Sequence, residues 1–400
     1  MNKTEQIIGL GKETVMNTYG RLPMAIVKGS GTKVWDSEGK CYLDFVTGLA
    51  VTSLGHSHPD IVEVIRDQAG EILHTSNLYW IPNQVKLAKM LTDNSFASKA
   101  FFCNSGAEAN EGAIKLIRKY AKKNFGENKY KIISLKNSFH GRTLAALSAT
   151  GQFKYHQGFE PLPVGFEYVE AGNLAELDQA FDHQTAGVII EPIQGEGGVH
   201  PISKEFVLHV KELCDKNDAL LVFDEVQSGI GRTGKLFAYE WLDIEPDILT
   251  LAKALGNGVP IGALLASSKV ADTFQPGDHA STFGGNHLVT AVGCKVMEII
   301  TQEGFLAEVQ SKSTYFKDKL QELADSYGLG SIVRGLGFML GMPVPEKAPE
   351  IVQLCSEKGL LINCVGGTTL RFLPPLTVSI EEIDEALNIL KQAFEEKLSI

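Results

Sequence analysis

The 400-residue sequence has no excess of basic residues, no paired cysteine motif and no long apolar run. Its 37 lysines and arginines are outnumbered by 48 acidic residues, which gives a formal net charge of −11. An acidic chain lacks the basic surface that general nucleic-acid binding and docking on anionic lipid require. No stretch approaches the roughly 18 apolar residues of a membrane span, and the first residues contain no apolar leader segment. We therefore expect neither a nucleic-acid partner nor a membrane.

The six cysteines are scattered at positions 41, 103, 214, 294, 355 and 364, with no C-x-x-C pair. This spacing indicates reduced, mostly structural thiols in a cytoplasmic protein. Glycine is abundant instead, at 40 of 400 residues. This share exceeds the usual ~7%, so many turns are expected to bring the backbone close to another group.

From about residue 99, short apolar runs alternate with amphipathic helical stretches, which predicts a parallel sheet covered on both faces by helices. The predicted strands are KAFFC (99–103), KIISL (131–135), GVIIEPI (187–193), LLVFDEV (220–226), DILTLA (247–252) and IGALLA (261–266). After about residue 290, long helices around three strand candidates indicate a smaller α+β domain. We expect an α/β protein with an N-terminal segment (1–47) that packs with the small domain, a large domain (48–290) and a C-terminal small domain (291–400).

Ligands of open α/β sheets bind beyond the carboxyl ends of the strands, so the residues that end each strand are the candidates. Strand 99–103 leads into Ser105-Gly106-Ala107 and a helix, with Ser105 and Glu108 at capping-box spacing. Free N–H groups at that helix start suit a phosphate, although the same residues also suit a simple helix start. Asp224 ends another apolar strand, where it either meets a positive partner or caps a helix.

Phe139, His140 and Arg142 follow strand 131–135 and supply an aromatic face, a polar group and a cation. The planar fork of Arg142 suits a carboxylate, whereas His140 is interpreted as a hydrogen-bonded structural residue. Lys253 ends the apolar run 247–252, and an ammonium there must reach water or do chemistry, because burying its charge costs several kcal/mol.

Together these strand ends fit pyridoxal 5′-phosphate. The cofactor needs an amine for its Schiff base, an acid for the pyridine nitrogen, a cradle for the phosphate and an apolar plate for the ring. Lys253, Asp224, the 105–107 turn and Phe139 supply these four groups in that order.

Eight segments in sequence order resemble the class-III, ornithine-type aminotransferases of PLP fold type I over nearly the whole chain. They are GHSHP (55–59), NSGAEANEGAIKLIRKY (104–120), SFHGRTLAALSATGQ (138–152), IIEPIQGEGGV (189–199), VFDEVQSGIGRTG (222–234), LAKALGNGVPIGA (251–263), STFGGN (281–286) and LRFLPPL (370–376). The resemblance implies a large, mostly parallel sheet covered by helices and a smaller α+β domain. Within the family it is strongest to members that move the distal amino group of N-acetyl-L-ornithine to 2-oxoglutarate. The products are N-acetylglutamate semialdehyde and glutamate, in arginine biosynthesis.

The resemblance also implies roles for individual residues. Lys253 and Asp224 are the implied catalytic residues, as the Schiff-base lysine and the partner of the pyridinium nitrogen. The implied cofactor contacts are Ser105, Gly106, Ala107, Phe139, Asp224, Gln227, Lys253 and, from a second subunit, Thr282. The implied substrate contacts are Arg142 and Ser281 for acetylornithine, Arg371 for an α-carboxylate, and Glu196, which pairs with that arginine. A homodimer with shared sites follows from Thr282, and His287 departs from the proline that is common after GGN.

Other interpretations stay open at this point. The donor is alternatively ornithine, succinylornithine, succinyldiaminopimelate or 4-aminobutyrate, or the chain binds the cofactor without turnover. GIGRTG (229–234) matches a dinucleotide fingerprint but does not sit at a strand-to-helix turn, and as a P-loop it has Leu236 where Ser or Thr is needed. His56 and His58 have no third ligand at zinc-like spacing, so a structural turn is the better interpretation than a metal site.

Overall fold

The structure, a computed structural model, describes residues 2–398. Its strands are β1 Ile26–Ser30, β2 Lys33–Asp36, β3 Cys41–Asp44, β4 Lys99–Cys103, β5 Lys131–Leu135, β6 Phe166–Val169, β7 Thr185–Ile190, β8 Ile193–Gln194, β9 His200–Pro201, β10 Leu220–Asp224, β11 Ile248–Leu251, β12 Gly262–Ala266, β13 Arg334–Leu336, β14 Met339–Pro343, β15 Leu360–Leu361, β16 Asn363–Val365 and β17 Thr369–Phe372. Its α-helices are α1 Lys3–Thr14, α2 Thr47–Ala50, α3 Pro59–Glu71, α4 Pro82–Asp93, α5 Gly106–Phe125, α6 Leu144–Ala149, α7 Leu174–Ala180, α8 Lys204–Lys216, α9 His287–Ile300, α10 Phe305–Ser326, α11 Ala348–Lys358 and α12 Ile380–Lys397.

The central sheet has seven strands in the order β4-β12-β11-β10-β7-β5-β6. Its mostly parallel character is confirmed, since only β12 runs antiparallel to its neighbours. The prediction that β12 is parallel is wrong. A parallel crossover needs about a dozen or more residues, and the link 252–261 between β11 and β12 is too short for one.

The predicted strand boundaries are exact for β4 and β5, whereas β7 and β10 end sooner than predicted, at Ile190 and Asp224. Glu191 and Glu225 therefore lie beyond the sheet edge. Strand β6 was not predicted, because only its last residue, Val169, is fully buried. Strand β10 is buried along its entire length, which is why it reads as a continuous apolar run.

Three smaller sheets complete the α/β architecture, in the orders β1-β2-β3-β15, β13-β14-β17-β16 and β8-β9. Leu43 of β3 pairs in parallel with Leu360 of β15, so the N-terminal strands share a sheet with a strand of the C-terminal part. The division at 1–47, 48–290 and 291–400 stays a prediction. Within residues 2–398, no helix combines the length and apolar character needed to cross a membrane.

Arg232, within the glycine-rich GIGRTG segment, is fully buried and joins three parts of the chain. Its Nη1 donates to the carbonyls of Phe338 (3.2 Å) and Pro374 (2.5 Å), and its Nη2 donates to Ser53 Oγ (2.8 Å). Burial lowers its pKa to about 9. In this structure the segment therefore tethers the large sheet to the loops that flank β14 and β17.

Candidate active site

A cavity of about 430 Å³ lies beyond the carboxyl ends of β4, β10 and β11. Such an edge is where open α/β sheets bind ligands. Nine of the twelve predicted site residues line it, namely Ser105, Gly106, Ala107, Phe139, Arg142, Glu196, Asp224, Gln227 and Lys253. The structure thus brings these nine residues together at one edge of the sheet, and their individual roles stay predictions.

Lys253 begins a 3-10 turn directly after β11 and projects from a left-handed backbone, with φ of +43°. Residues with a side chain seldom adopt this conformation, and such positions cluster at functional sites. Burial lowers the pKa of the Lys253 amine to about 8, against the opposing charges of nearby carboxylates such as Glu196 and Asp224. The uncharged form of this amine is therefore more accessible near neutral pH than that of an ordinary lysine, whose pKa is about 10.4.

Asp224, the last residue of β10, is 4% exposed and is held by three donors. Asn110 Nδ2 (2.7 Å) and His140 Nδ1 (2.8 Å) donate to its Oδ2, and the Val226 N–H donates to its Oδ1 (3.0 Å). A carboxylate only accepts hydrogen bonds, so His140 carries its proton on Nδ1. Asp224 thus stabilises a local turn and also faces the cavity.

Asn110 on α5 is a site residue that the sequence analysis missed. Its Nδ2 also donates to the His140 carbonyl (2.7 Å), and its Oδ1 accepts from Thr250 Oγ1 (2.8 Å). It therefore connects the segment that follows β5 with the carboxyl ends of β10 and β11. The available signal was a single asparagine among the buried Ala109, Ala113 and Ile114 of α5.

Glu191 also lines the cavity and was not predicted. Its Oε2 accepts from the Phe139 N–H (2.9 Å), which fixes the start of the segment that carries Phe139. Burial, together with the charge of Asp224, raises the pKa of Glu191 well above its usual range. The strand-end rule identifies this residue once β7 is ended at Ile190 rather than at Ile193.

The N-terminus of the 20-residue helix α5 opens onto the cavity. Ser105 caps it, with its Oγ accepting from the Glu108 N–H (3.2 Å). The capping box forms only in part, because Glu108 bonds to the Asn104 N–H (2.6 Å) and not to that of Ser105. A Cβ on Gly106 would lie 2.5 Å from Val226 Cγ1, so only glycine allows this close approach. The first N–H groups of the helix suit an anion.

Arg371 on β17 is fully buried at the edge of the cavity. Its Nη1 donates to Glu196 Oε1 (2.7 Å) and to Gln227 Oε1 (3.3 Å), and its Nε donates to Asn363 Oδ1 (3.2 Å). Burial raises the pKa of Glu196, but the charge and hydrogen bond of Arg371 outweigh it, so the net pKa is lowered. Arg371 Nη2 is buried with no hydrogen-bond partner in the described chain.

Arg142 is exposed at the cavity mouth and lies over two aromatic rings. Its Cζ is 3.9 Å from the ring centre of Tyr155 and 5.5 Å from that of Phe139. No hydrogen bond or ion pair from its guanidinium to another residue occurs within 2–398. Its N–H donors are therefore available to a ligand. Tyr155 had no signal in the sequence.

Ser281 and Thr282 do not line this cavity. Ser281 contacts Asn104, which does line the cavity: the Oγ of Ser281 accepts from Asn104 Nδ2 (3.1 Å) and from the Gly284 N–H (3.0 Å). Thr282 is exposed and borders a different hollow, together with Leu78 and Trp80. Within one chain, Thr282 is thus separate from the other predicted cofactor contacts.

The GHSHP turn is fixed by a side-chain contact to β3. His56 Nε2 bonds to Asp44 Oδ2 at 2.7 Å. Nowhere between residues 2 and 398 do three or more His, Cys, Asp or Glu side chains form a group suited to a metal ion.

The residues around the cavity fit pyridoxal phosphate. A glycine-containing helix start suits the phosphate, Phe139 offers an aromatic face, Asp224 offers a buried carboxylate, and Lys253 offers an amine of lowered pKa. The orphaned His140 Nε2 beside Asp224 is a further buried polar atom that has no partner among the described residues.

Comparison with known proteins agrees with this assignment. A family model described as aminotransferase class-III matches residues 14–394. The chain is 55% identical to the acetylornithine aminotransferase of Caldanaerobacter subterraneus, over 96% of this chain and 98% of that protein. It is 47% identical to the succinylornithine transaminase of Photorhabdus laumondii, over 92% of each. Among solved structures, the ornithine aminotransferase from Toxoplasma gondii, with partial occupancy of PLP at its active site, has a TM-score of 0.93. It is 31% identical, with 99% of this chain and 96% of that chain covered.

The lowered pKa of Lys253 is testable in the cofactor-free protein by competitive acetylation followed by peptide mass spectrometry. Only the uncharged amine reacts, so the Lys253 rate should rise with pH, reach half its maximum near pH 8 and then level off. Lys86 is the internal control, because its hydrogen bond to Glu298 raises its pKa and its rate should still be rising at about pH 10. Identical pH profiles for the two lysines would contradict the assignment.

Proposed function

Since the chain belongs to the class-III aminotransferase family, whose members depend on pyridoxal phosphate, we propose that it acts on N-acetyl-L-ornithine. It moves the distal amino group of that substrate to 2-oxoglutarate and yields N-acetylglutamate semialdehyde and glutamate. The observation that carries the proposal is a pair of unlike arginines around one lysine. Arg142 is free at the cavity mouth, whereas Arg371 is occupied by Glu196. Two carboxylate substrates of different length need such a pair.

Bound pyridoxal phosphate supplies an aldehyde that takes up an amino group and a ring that accepts the electrons released at the neighbouring carbon. Gly106 and Ala107 would hold its phosphate with their N–H groups, Phe139 would face its ring, and Gln227 would approach its phenolic oxygen. Asp224 would keep the proton on its ring nitrogen. His140 and Asn110 hold that carboxylate in place.

Lys253 acts as the base that removes the proton from the amine-bearing carbon of the substrate and later returns it. A pKa of about 8 suits this task, because general catalysis is most efficient when the pKa lies near the working pH. The cavity also keeps bulk water away from the amine on its sheet side, where Ala252 and Ala254 are buried.

The two half-reactions use the arginines differently. With N-acetylornithine, Arg142 holds the α-carboxylate at the acylated end, which leaves the distal amine facing Lys253. With glutamate, Arg371 takes the α-carboxylate after Glu196 releases it. While Glu196 and Arg371 are paired at 2.7 Å, Arg371 cannot bind an α-carboxylate, so the pair disfavours substrates that react through an α-amino group. Glutamate is bound once Glu196 releases the arginine.

A homodimer with shared sites is part of the proposal. Leu78 and Trp80, 86% and 90% exposed, form an apolar surface beside the exposed Thr282 and Phe283. Exposed apolar patches of this kind mark protein interfaces. A second copy seated on this surface would bring Thr282 to the phosphate site of its partner.

We also assign the protein to the cytoplasm. All six cysteines are unpaired in the structure, and four of them are buried. Free, buried thiols are typical of reducing compartments.

The dimer is testable by placing a charge on its expected interface. Trp80→Asp should shift the sedimentation-equilibrium mass from two chains toward one and reduce activity in parallel, because a buried, unpaired carboxylate opposes association. Val164→Asp is the control, because Val164 is 79% exposed and does not line the cavity. This variant should remain dimeric. A fully active wild-type monomer would contradict the proposal.

The substrate assignment is testable with a panel of amino donors and 2-oxoglutarate as the acceptor. The donors are N-acetylornithine, N-succinylornithine, ornithine, succinyldiaminopimelate and 4-aminobutyrate, and the measured product is glutamate. N-acetylornithine should give the highest kcat/KM, and Lys253→Ala should lose roughly 10²–10⁴-fold in rate. A higher kcat/KM for another donor would move the assignment within the family, and bleaching without glutamate would indicate a binding protein.

The division between the arginines is testable in single turnovers, where each half-reaction is followed by the colour of the cofactor. Arg142→Ala should weaken mainly the N-acetylornithine half and Arg371→Ala mainly the glutamate half. Each loss should be about 10- to 100-fold, since one charge-assisted hydrogen bond contributes about 1.5–3 kcal/mol. Glu196→Ala should shift preference toward glutamate, because Arg371 is then free. Equal losses in both halves for both arginine variants would show that the roles are wrong.

A further inference from the structure

Tyr155 is the nearer of the two aromatic rings that lie against the Arg142 guanidinium. It ends the 3-10 turn Phe153–Tyr155, with its ring centre 3.9 Å from Arg142 Cζ. The ring of Phe139 lies on the same cation at 5.5 Å, and the two rings meet edge to face, with centres 6.1 Å apart and planes at 86°. Arg142 is thus exposed to water but rests against an aromatic corner.

The contact leaves the hydrogen-bonding groups of the arginine unused. An aromatic ring attracts a cation through its π face, and the five N–H donors of the guanidinium stay available for a carboxylate. An acidic side chain in the same place would have consumed those donors, as Glu196 does for Arg371. The hydroxyl of Tyr155 has no hydrogen-bond partner in the described part of the chain, so the ring is the part that acts.

The contact also limits the conformations of an exposed side chain. A free arginine samples many rotamers, and ordering it on binding reduces the affinity for its ligand. Arg142 held on Tyr155 has already lost part of that freedom. A carboxylate then meets a cation that is positioned and has all its donors free.

We propose that Tyr155 is a positioning residue that fixes Arg142 for the carboxylate of the N-acetylornithine-type donor. The inference rests on the proposed function, which assigns that carboxylate to Arg142. It predicts that loss of the ring weakens the donor half-reaction and spares the glutamate half, where Arg371 provides the anchor.

The test uses the holoenzyme and three variants: Tyr155→Leu, Tyr155→Phe and Phe159→Leu. Tyr155→Leu should raise the N-acetylornithine concentration for half-maximal single-turnover rate by about 2- to 5-fold, the range for a lost cation–π contact at an exposed site. The limiting rate and the glutamate half-reaction should be unchanged. Tyr155→Phe should behave as wild type, because the ring is retained. Phe159→Leu removes an exposed ring (58% exposed) from the same loop and should also leave both halves unchanged.

A double-mutant cycle with Arg142→Ala shows whether the ring acts through the arginine. In the Arg142→Ala background, Tyr155→Leu should cost nothing further, whereas independent effects would multiply and overturn the proposal. Equal losses in both half-reactions would show that Tyr155 has a merely structural role and would overturn the proposal as well. Weakened binding in Tyr155→Phe would show that the hydroxyl acts and not the ring, which would also overturn it. If the wild-type enzyme turns over N-acetylornithine and Tyr155→Leu has no effect, only this inference is overturned. Wild-type enzyme without such turnover removes the proposed function and this inference together.

Discussion

A lysine amine taken out of water must lose part of its charge or gather carboxylates around it, and Lys253 does both. Burial lowers its pKa to about 8, and Glu196, Asp224 and Glu191 surround it. These carboxylates answer the same constraint differently. Burial and the charge of Asp224 raise the pKa of Glu191, whereas for Glu196 the charge and hydrogen bond of Arg371 outweigh burial, so its net pKa is lowered. The buried amine of Lys253 and the buried guanidinium of Arg371 thus account for the carboxylates gathered at this cavity.

The sheet geometry serves the position of that amine. Lys253 lies in the short link between β11 and β12, and this link forces β12 to run antiparallel and to begin at the same edge where the parallel strands end. Gly262 starts β12 directly against the turn that carries Ser105, and a Cβ there would lie 2.4 Å from the Ser105 carbonyl oxygen. The lysine turn and the helix start of α5 are therefore locked together by a close backbone approach that only glycine permits.

The sequence predicted the residues that end strands and missed those that reach the cavity from elsewhere. Lys253 and Asp224 were found because a polar residue after an apolar run is visible without coordinates. Asn110 and Tyr155 were not found, since one lies on a buried helix face and the other on a loop whose path depends on packing. The Glu196–Arg371 pair is 175 residues apart in sequence, so only the family resemblance suggested it. Thr282 is a different case, because its predicted partner belongs to a second chain.

The structure also indicates which half of the Glu196–Arg371 pair is free to move. Arg371 lies on β17, is fully buried and donates a hydrogen bond to Asn363 on the neighbouring strand. The loop that follows β17 is held in turn by Arg232, which donates to the Pro374 carbonyl. The side chain of Glu196 is 28% exposed and is followed by Gly197 and Gly198, the second with φ of +117°. Glycines allow backbone rotation at low cost, whereas a buried guanidinium cannot leave its acceptors without leaving them unpaired. In the proposed exchange between substrates, the carboxylate of Glu196 would therefore be the group that moves, and the guanidinium of Arg371 would stay in place.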